Sequence, residues 1–123
     1  MDPWSGRVDI PDRDQPLEVV GFQPVMKLAE LPCGSMRACL LGAREILICH
    51  SRDGLFALDN ICTHAHARLC EGRLRRTRLT CPLHGASFDI RDGRVLSSPA
   101  ELPLATHAVR VVAGTIEVEL QSP

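Results

Sequence analysis

The stretch Cys62-Thr63-His64, which sixteen intervening residues separate from Cys81-Pro82-Leu83-His84, is the most informative part of this sequence. Each of the two short segments offers one sulfur and one imidazole nitrogen. Thiolate and imidazole ligands together suit zinc or an iron–sulfur cluster. The two segments therefore predict a metal site with four ligands, Cys62, His64, Cys81 and His84.

The order of the four ligands helps to choose the metal. A zinc finger usually supplies two closely spaced cysteines and then two closely spaced histidines, whereas here the two types alternate. Two facing loops of this kind can each give one ligand to each of two irons. A [2Fe-2S] centre in which two histidines replace two cysteines on one iron is a Rieske centre, and the spacing, with Gly85 directly after it, resembles the Rieske motif. A plain zinc site, or unrelated core cysteines and surface histidines, are the alternatives.

Composition limits the class of protein. A chain of 123 residues indicates one domain with a modest core, and because aromatic residues make up only 3%, that core must come from Val, Leu, Ile and Ala. The formal net charge of -1 argues against a nucleic-acid partner. No apolar run approaches the length of a membrane span, so no membrane partner is expected.

The six cysteines are expected to be thiols or metal ligands in a reducing cytoplasm. Residues 1–16 are charged and contain prolines, without the apolar region of a signal peptide. Cys39 and Cys49 lie in apolar runs and are predicted to be small buried hydrophobes. Cys33 and Cys70 are predicted to lie in loops and have no assigned role. Of the two, Cys70 is the candidate for a reserve metal ligand.

The pattern along the chain predicts an antiparallel all-β sandwich or barrel. Residues 1–17 are expected to be a mobile arm, 18–120 the domain and 121–123 a tail. Short apolar runs alternate with Gly-marked turns, and the only helical pattern is one turn at 28–31, stopped by Pro32. Residues 46–49 indicate a strand that is buried on both faces. The expected strands are 19–27, 35–41, 45–51, 55–58, 73–75, 78–80, 86–90, 94–96, 107–112 and 115–120.

From about Phe22 to Leu120 the sequence resembles a Rieske-type ferredoxin, in particular the small carriers of bacterial aromatic-ring-hydroxylating dioxygenase systems. The resemblance rests on Cys62-Thr63-His64, on residues 81–89 (CPLHGASFD) and on the Arg91-Asp92-Gly93 turn. It implies a β-sandwich of three antiparallel sheets with a small cluster-binding subdomain at about 60–90. It also implies one [2Fe-2S] cluster, with Cys62 and Cys81 on the inner iron and His64 and His84 on the outer iron near solvent.

His66 is a rival ligand because it lies only two residues beyond His64. The Cys-x-His spacing of the family selects His64. His66 is therefore interpreted as an exposed loop histidine.

The resemblance implies a one-electron carrier rather than an enzyme, working in aromatic hydrocarbon catabolism. Its partners would be an NADH-linked flavin-dependent ferredoxin reductase and a terminal oxygenase, and a monomer is expected. Alternatives are a Rieske-like small subunit of a larger reductase, such as nitrite reductase, and a zinc-stabilised interaction module. A complete oxygenase would need a second iron held by two histidines and a carboxylate, but His107 is the one histidine after the motif.

The residues around the ligands predict a low reduction potential within the Rieske range. High-potential Rieske proteins carry an extra cysteine in each ligand loop, a serine after the histidine-glycine pair and a nearby tyrosine. In this sequence the two loop positions hold Ala67 and Leu83 instead of cysteines, and Ala86 replaces the serine. Phe88 lies near the place of the tyrosine. Without hydroxyl donors to sulfur, the potential is expected near the low end of the range.

Two surfaces are candidates for partner contact. Small or apolar side chains at the tip, namely Ala65, Ala67, Leu83 and Ala86, would let a partner approach the outer iron, although they also simply fit tight loops. A basic group is either a solvated hairpin face or a patch that steers an acidic partner. It consists of Arg68, Arg73, Arg75, Arg76 and Arg78.

Overall fold

The computed structural model describes residues 21–64, 66–83 and 85–121. The expected mobile arm at 1–17, Ala65 at the tip and the expected ligand His84 lie outside the described residues. No helix in the described part of the chain is long and apolar enough to cross a membrane.

The described residues form ten strands and two short 3₁₀ helices, which confirms the all-β prediction. The 3₁₀ helices are Leu28–Glu30 and Leu69–Glu71. The strands are β1 (Gln23–Lys27), β2 (Met36–Leu41), β3 (Arg44–Ser51), β4 (Gly54–Asp59), β5 (Arg73–Arg75), β6 (Arg78–Thr80), β7 (Ser87–Asp89), β8 (Val95–Ser97), β9 (Thr106–Val112) and β10 (Thr115–Glu119).

The strands pair into a six-stranded sheet in the order β1-β10-β9-β4-β3-β2 and a four-stranded sheet in the order β5-β6-β7-β8. Every strand pair is antiparallel. The large sheet consists of two three-stranded halves, which are joined where Ala57 and Leu58 of β4 pair with His107 and Thr106 of β9. The three expected sheets are thus these two halves and the small sheet.

Strand β3 separates two hydrophobic cores. Leu47 and Cys49 face the core that also contains the small sheet, whereas Ile46 and Ile48 face the core between the halves of the large sheet. All four side chains are fully buried. The prediction of a strand buried on both faces is confirmed, because successive strand residues point to opposite sides.

A tight turn at Gly93 holds the small sheet against the segment that follows it. Gly93 has φ +81°, and a Cβ atom there would lie 2.1 Å from the carbonyl oxygen of Leu104. The Leu104 N–H donates to the Gly93 carbonyl at 2.8 Å. Only glycine permits this close approach, so the predicted turn also fixes the start of the return to β9.

Two predictions for single cysteines differ from the structure. Cys39 is only half-buried, because it lies on β2, the edge strand of the large sheet. Cys70 lies in the second 3₁₀ helix rather than in an irregular loop, and it packs against the core of the small sheet. Cys49 is fully buried as predicted, and Cys33 is exposed.

Candidate metal centre

The first ligand loop leaves the end of β4 and closes on itself between residues 62 and 67. The Cys62 N–H donates to the Ala67 carbonyl at 2.8 Å, and the His66 N–H donates to the Cys62 carbonyl at 3.2 Å. A single β-bridge between Ile61 and Arg68 braces the base of the loop. The hairpin-like base therefore holds Cys62 in a fixed position.

The second ligand loop connects β6 to β7 and is closed in the same way. The Cys81 N–H donates to the Ala86 carbonyl at 2.7 Å. In both loops the cysteine N–H reaches the carbonyl five residues further along the chain. Two loops of the same form thus present their cysteines from two different strand ends.

The two cysteine sulfurs lie inside the protein and close to each other. Cys62 and Cys81 are each only 2% exposed. Burial raises the pKa of the Cys81 thiol, the Leu83 N–H opposes this effect, and the neighbouring Cys62 raises the pKa further. Two neighbouring buried thiols are a suitable inner pair for a metal, which takes cysteine as thiolate.

Backbone donors already point at both sulfurs. The His64 N–H donates to Cys62 Sγ at 3.4 Å, and the Leu83 N–H donates to Cys81 Sγ at 3.5 Å. Such N–H bonds favour the negatively charged form of the acceptor. The donor set therefore fits a cluster that is held by two thiolates on its buried side.

The histidine of the first loop lies at the surface. His64 is exposed although Cys62, two residues earlier, is buried. His66 is also exposed, as predicted, and has a φ of +55° in the closing turn of the loop. Among residues 21–64, 66–83 and 85–121, no three ligand-type side chains gather around one point. Because His84 is outside these ranges, the four-ligand set stays a prediction.

Comparison with known proteins decides the family. The model of the Rieske [2Fe-2S] domain matches residues 21–108. The chain belongs to the Rieske [2Fe-2S] family. A Rieske-type [2Fe-2S] cluster is accordingly the cofactor of this domain, and the two buried cysteines described above fit it.

Relatives and solved structures of the Rieske family share both sequence and fold with this chain. The anthranilate 1,2-dioxygenase ferredoxin subunit of Burkholderia cepacia is 32% identical over 99 residues, which are 80% of this chain and 92% of the relative. The ferredoxin of carbazole 1,9a-dioxygenase from Nocardioides aromaticivorans IC177 is 29% identical with a TM-score of 0.78, over 81% of this chain and 98% of the ferredoxin. A complex of reduced oxygenase and oxidized ferredoxin in carbazole 1,9a-dioxygenase contains a chain that is 30% identical with a TM-score of 0.75, over 80% of this chain and 92% of that chain.

A buried asparagine ties the first ligand loop of this Rieske domain to β3. The Asn60 side chain is fully buried, and its amide donates to Glu45 Oε1 at 3.2 Å while its oxygen accepts the Cys70 N–H at 2.9 Å. Arg68 pairs with Glu45 at 3.0 Å, and these bonds from Arg68 and then Asn60 lower the pKa of Glu45. This network was not predicted from the sequence, although a lone Asn two residues before Cys62 was a usable signal.

A second network reaches the ligand loop that contains His84. Arg78 Nη1 donates to Ser87 Oγ, so the Ser87 hydroxyl is left to donate to Ser97 Oγ at 2.7 Å. The Ser97 hydroxyl in turn donates to the Gly85 carbonyl at 3.2 Å. These three hydrogen bonds run in one direction, from Arg78 through the two hydroxyls to the Gly85 carbonyl. They therefore hold the backbone at Gly85 in place.

Asp89 is a buried carboxylate that fastens the turn after β7. It is bonded by Arg91 at 2.7 Å and by Arg94 at 3.4 Å. The side-chain bond from Arg91 is the main reason why the pKa of Asp89 lies below its ordinary value, although burial opposes it. The charge is therefore kept inside the small sheet by two arginines.

The surroundings of the Cys62 and Cys81 sulfurs agree with the expectation that no hydroxyl group donates to them. Ala86 and Phe88 are fully buried in the core that contains Cys62 and Cys81, and neither has a hydroxyl. The Thr63 hydroxyl donates to the Leu102 carbonyl at 2.8 Å. Within the described ranges, no side-chain hydroxyl bonds to either ligand sulfur.

The remaining cysteines of the Rieske domain are free thiols, and none of the six cysteines forms a disulfide. Burial raises the pKa of the Cys49 thiol to about 12, so this thiol is unreactive at neutral pH. Burial also raises the pKa of Cys39. The Cys70 sulfur accepts a bond from the Asn60 amide at 3.5 Å, and its role as a reserve ligand stays a prediction.

Proposed function

We propose that this Rieske protein is a one-electron carrier, which takes electrons from an NADH-linked flavin reductase and passes them to the terminal oxygenase of an aromatic-ring dioxygenase system. The observation that carries this proposal is the arrangement of the first ligand loop, with Cys62 buried and His64 at the surface. An electron can enter and leave through the exposed histidine side. The relatives named as ferredoxin components of dioxygenase systems support this role.

The ligand assignment belongs to the same proposal. Cys62 and Cys81 hold the inner iron, and His64 and His84 hold the outer iron. The two cysteines are supported by their burial, their closeness and the N–H bonds to their sulfurs. His64 is supported by its place on the exposed side of the same loop.

The donor set suits the transfer of single electrons because of its charge. Two ferric ions and two sulfides sum to +2, so two thiolates and two neutral imidazoles leave the oxidised cluster neutral. Four thiolates would leave it at -2. An added electron is therefore accepted more easily than by a four-cysteine cluster.

The exposed part of the tip is the proposed contact surface for the oxygenase; Ala86 is fully buried and does not belong to it. Leu83, within the second ligand loop, is 46% exposed, and Leu102, whose carbonyl accepts a hydrogen bond from Thr63, is 64% exposed. His64 and Leu102 line one surface groove of about 350 Å³ together with Thr63, Pro99 and Glu101. Exposed apolar side chains beside an exposed ligand are suited to a transient redox encounter.

The domain limits and the compartment complete the proposal. Residues 18–120 form the Rieske domain, with a cluster-binding subdomain at about 60–90, and residues 1–17 and 121–123 are an arm and a tail. The six free thiols suit a reducing cytoplasm. The carrier works as a monomer, which exchanges partners freely.

Reconstitution tests the proposed function. The purified protein is combined with NADH, a flavin-dependent ferredoxin reductase and the oxygenase component of an anthranilate or carbazole dioxygenase. We expect turnover of the aromatic substrate that depends on the concentration of this protein. A red-brown, cluster-bearing preparation that supports turnover with neither oxygenase, and that co-purifies with a large catalytic subunit, would favour a fixed subunit of a larger reductase instead.

A further inference from the structure

Charge is distributed unevenly along this protein. Residues 60–97, which contain both ligand loops and the small sheet, have seven arginines and three acidic side chains, a formal charge of +4. The other described residues, 21–59 and 98–121, have five basic and seven acidic side chains, a formal charge of -2. The net charge of -1 for the whole chain therefore hides a basic end, which is the end that holds the cluster.

The β5–β6 hairpin concentrates this charge on its outer face. Arg73 and Arg75 are exposed on β5, while Leu74 between them packs into the core. Arg75 lies directly opposite Arg78 in the strand register, and Arg76 follows in the turn. Like charges directly opposite each other destabilise a hairpin, so the fold itself does not require this arrangement.

Most arginines of the basic end are occupied within the protein. Arg68 pairs with Glu45 and Arg76 with Asp53, at 3.0 and 3.2 Å. The ion pairs of Arg91 and Arg94 are made with Asp89. Among the described residues, Arg73 and Arg75 form no ion pair. Their charges are available to another molecule.

Arg73 lies beside the second ligand loop, and Arg75 is exposed two residues further along the same face of β5. Arg73 is paired in register with Thr80, the residue directly before Cys81. Arg73 and Cys81 line the same surface groove of about 390 Å³, together with Glu71, Gly72, Thr80 and Pro82. A molecule bound at Arg73 and Arg75 would thus lie next to the cluster.

We propose that Arg73 and Arg75 form a docking site for an acidic face of the terminal oxygenase. This inference rests on the proposed function and adds the chemistry of the partner. The separation of charge turns the cluster end toward an acidic surface during approach. The two arginines then hold that end close enough for one electron to leave the cluster.

Electrode kinetics test the charge of the partner without a cognate oxygenase. Gold coated with a carboxylate-terminated monolayer stands in for an acidic face, and an amine-terminated monolayer is the opposite surface. The electrode supplies one electron, which reduces one of the two ferric ions to ferrous. At low salt we expect the rate of this step to be about tenfold higher on carboxylate than on amine, although the net charge of -1 alone predicts the reverse. The preference should vanish near 1 M salt.

Paired variants identify the residues. The R73Q/R75Q protein should lose the carboxylate preference, whereas R37Q/R110Q, which removes two exposed arginines of the large sheet, should keep it. Both double variants change the formal charge equally, and both should keep the wild-type midpoint potential. Equal loss in both variants, or a wild-type protein without the preference, would overturn the inference.

Reconstituted turnover identifies the partner. With the oxygenase component in the assay, R73Q/R75Q should raise the half-saturating concentration of the carrier about tenfold, while its reduction by the flavin reductase is unchanged. If reduction by the flavin reductase becomes slower and the oxygenase step is unchanged, the arginines bind the reductase and the proposed partner is wrong. If the wild-type protein is reduced reversibly at both electrodes but shows no preference, the docking site fails and the carrier function stands.

Discussion

Single side chains show how this Rieske domain keeps charge in its interior, and Asp89 is the clearest case. Its carboxylate is 4% exposed and is bonded by Arg91 and Arg94. Because its pKa is lowered by folding, its contribution to stability is present above the unfolded pKa of about 3.9 and is lost as pH falls through the folded value. Stability should therefore decline in acid partly through this residue.

We predict that Asp89→Asn lowers the free energy of unfolding at pH 7 by about 2 kcal/mol, because bonds to a charged acceptor are lost. The gap to wild type should narrow as pH falls below about 4, since the wild-type carboxylate then becomes protonated. Denaturant unfolding from pH 3 to 7 measures both effects. Glu101→Gln, at an exposed carboxylate, is the control, and a gap that widens in acid would contradict the assignment.

His64→Cys tests the outer-iron ligand. A third thiolate adds one negative charge to the cluster, so we expect either loss of the cluster or a lower midpoint potential in a redox titration. His66→Gln is the matched change in the same exposed loop and should leave the potential unchanged. If the His64 variant keeps the wild-type spectrum and potential, His64 is not a ligand.

At the level of elements, the strands were predictable from short apolar runs and Gly-marked turns. Each of β1 to β10 overlaps an expected strand, because a turn such as Gly42-Ala43 or Asp92-Gly93 imposes local geometry that the sequence states directly. The 3₁₀ helix Leu69–Glu71 was missed, since three residues contain no period. The join between β4 and β9 was also missed, because it links residues about fifty positions apart.

Asn60 is the link between an element and the ligand loop, and its substitution should loosen both. We predict that Asn60→Ala lowers the free energy of unfolding by about 2 kcal/mol, because the Cys70 N–H and the Glu45 carboxylate lose a buried partner. Asn60→Asp should be at least as unstable at pH 7, since a carboxylate would face Glu45. Urea unfolding measures both variants; wild-type stability in either would show that the network does not hold the loop.

For the molecule as a whole, the sequence motif correctly predicted that Cys62 and Cys81 come together, because cysteine and histidine at metal-ligand spacing in two short loops are a local signature. The supporting network could not, since Glu45 and Arg68 meet only after β3 and the first loop fold together. The ion pairs that occupy some arginines and leave Arg73 and Arg75 unpaired within the described residues likewise depend on the folded chain. The linear sequence contains the pattern of the proposed ligands. It does not show which ion pairs and hydrogen bonds the residues beside them form.

The potential is a property of the whole cluster environment. Rieske centres span roughly -150 to +300 mV, and hydroxyl bonds to sulfur raise the value within this range. Because Ala86 and Phe88 fill the buried positions near Cys81, we predict a midpoint near the low end. A redox titration measures it. A midpoint in the upper half of that range, above roughly +75 mV, would contradict the prediction.

In the proposed site the cluster is held asymmetrically, by two sulfurs on the buried side and two histidine nitrogens on the exposed side. Electron–nuclear double resonance of the reduced protein, grown with ¹⁵N-labelled histidine, distinguishes this arrangement from a cluster held by sulfur alone. We expect hyperfine coupling from two histidine nitrogens. A reduced cluster without histidine coupling, or protein that contains no iron and sulfide after growth in ample iron, would contradict it.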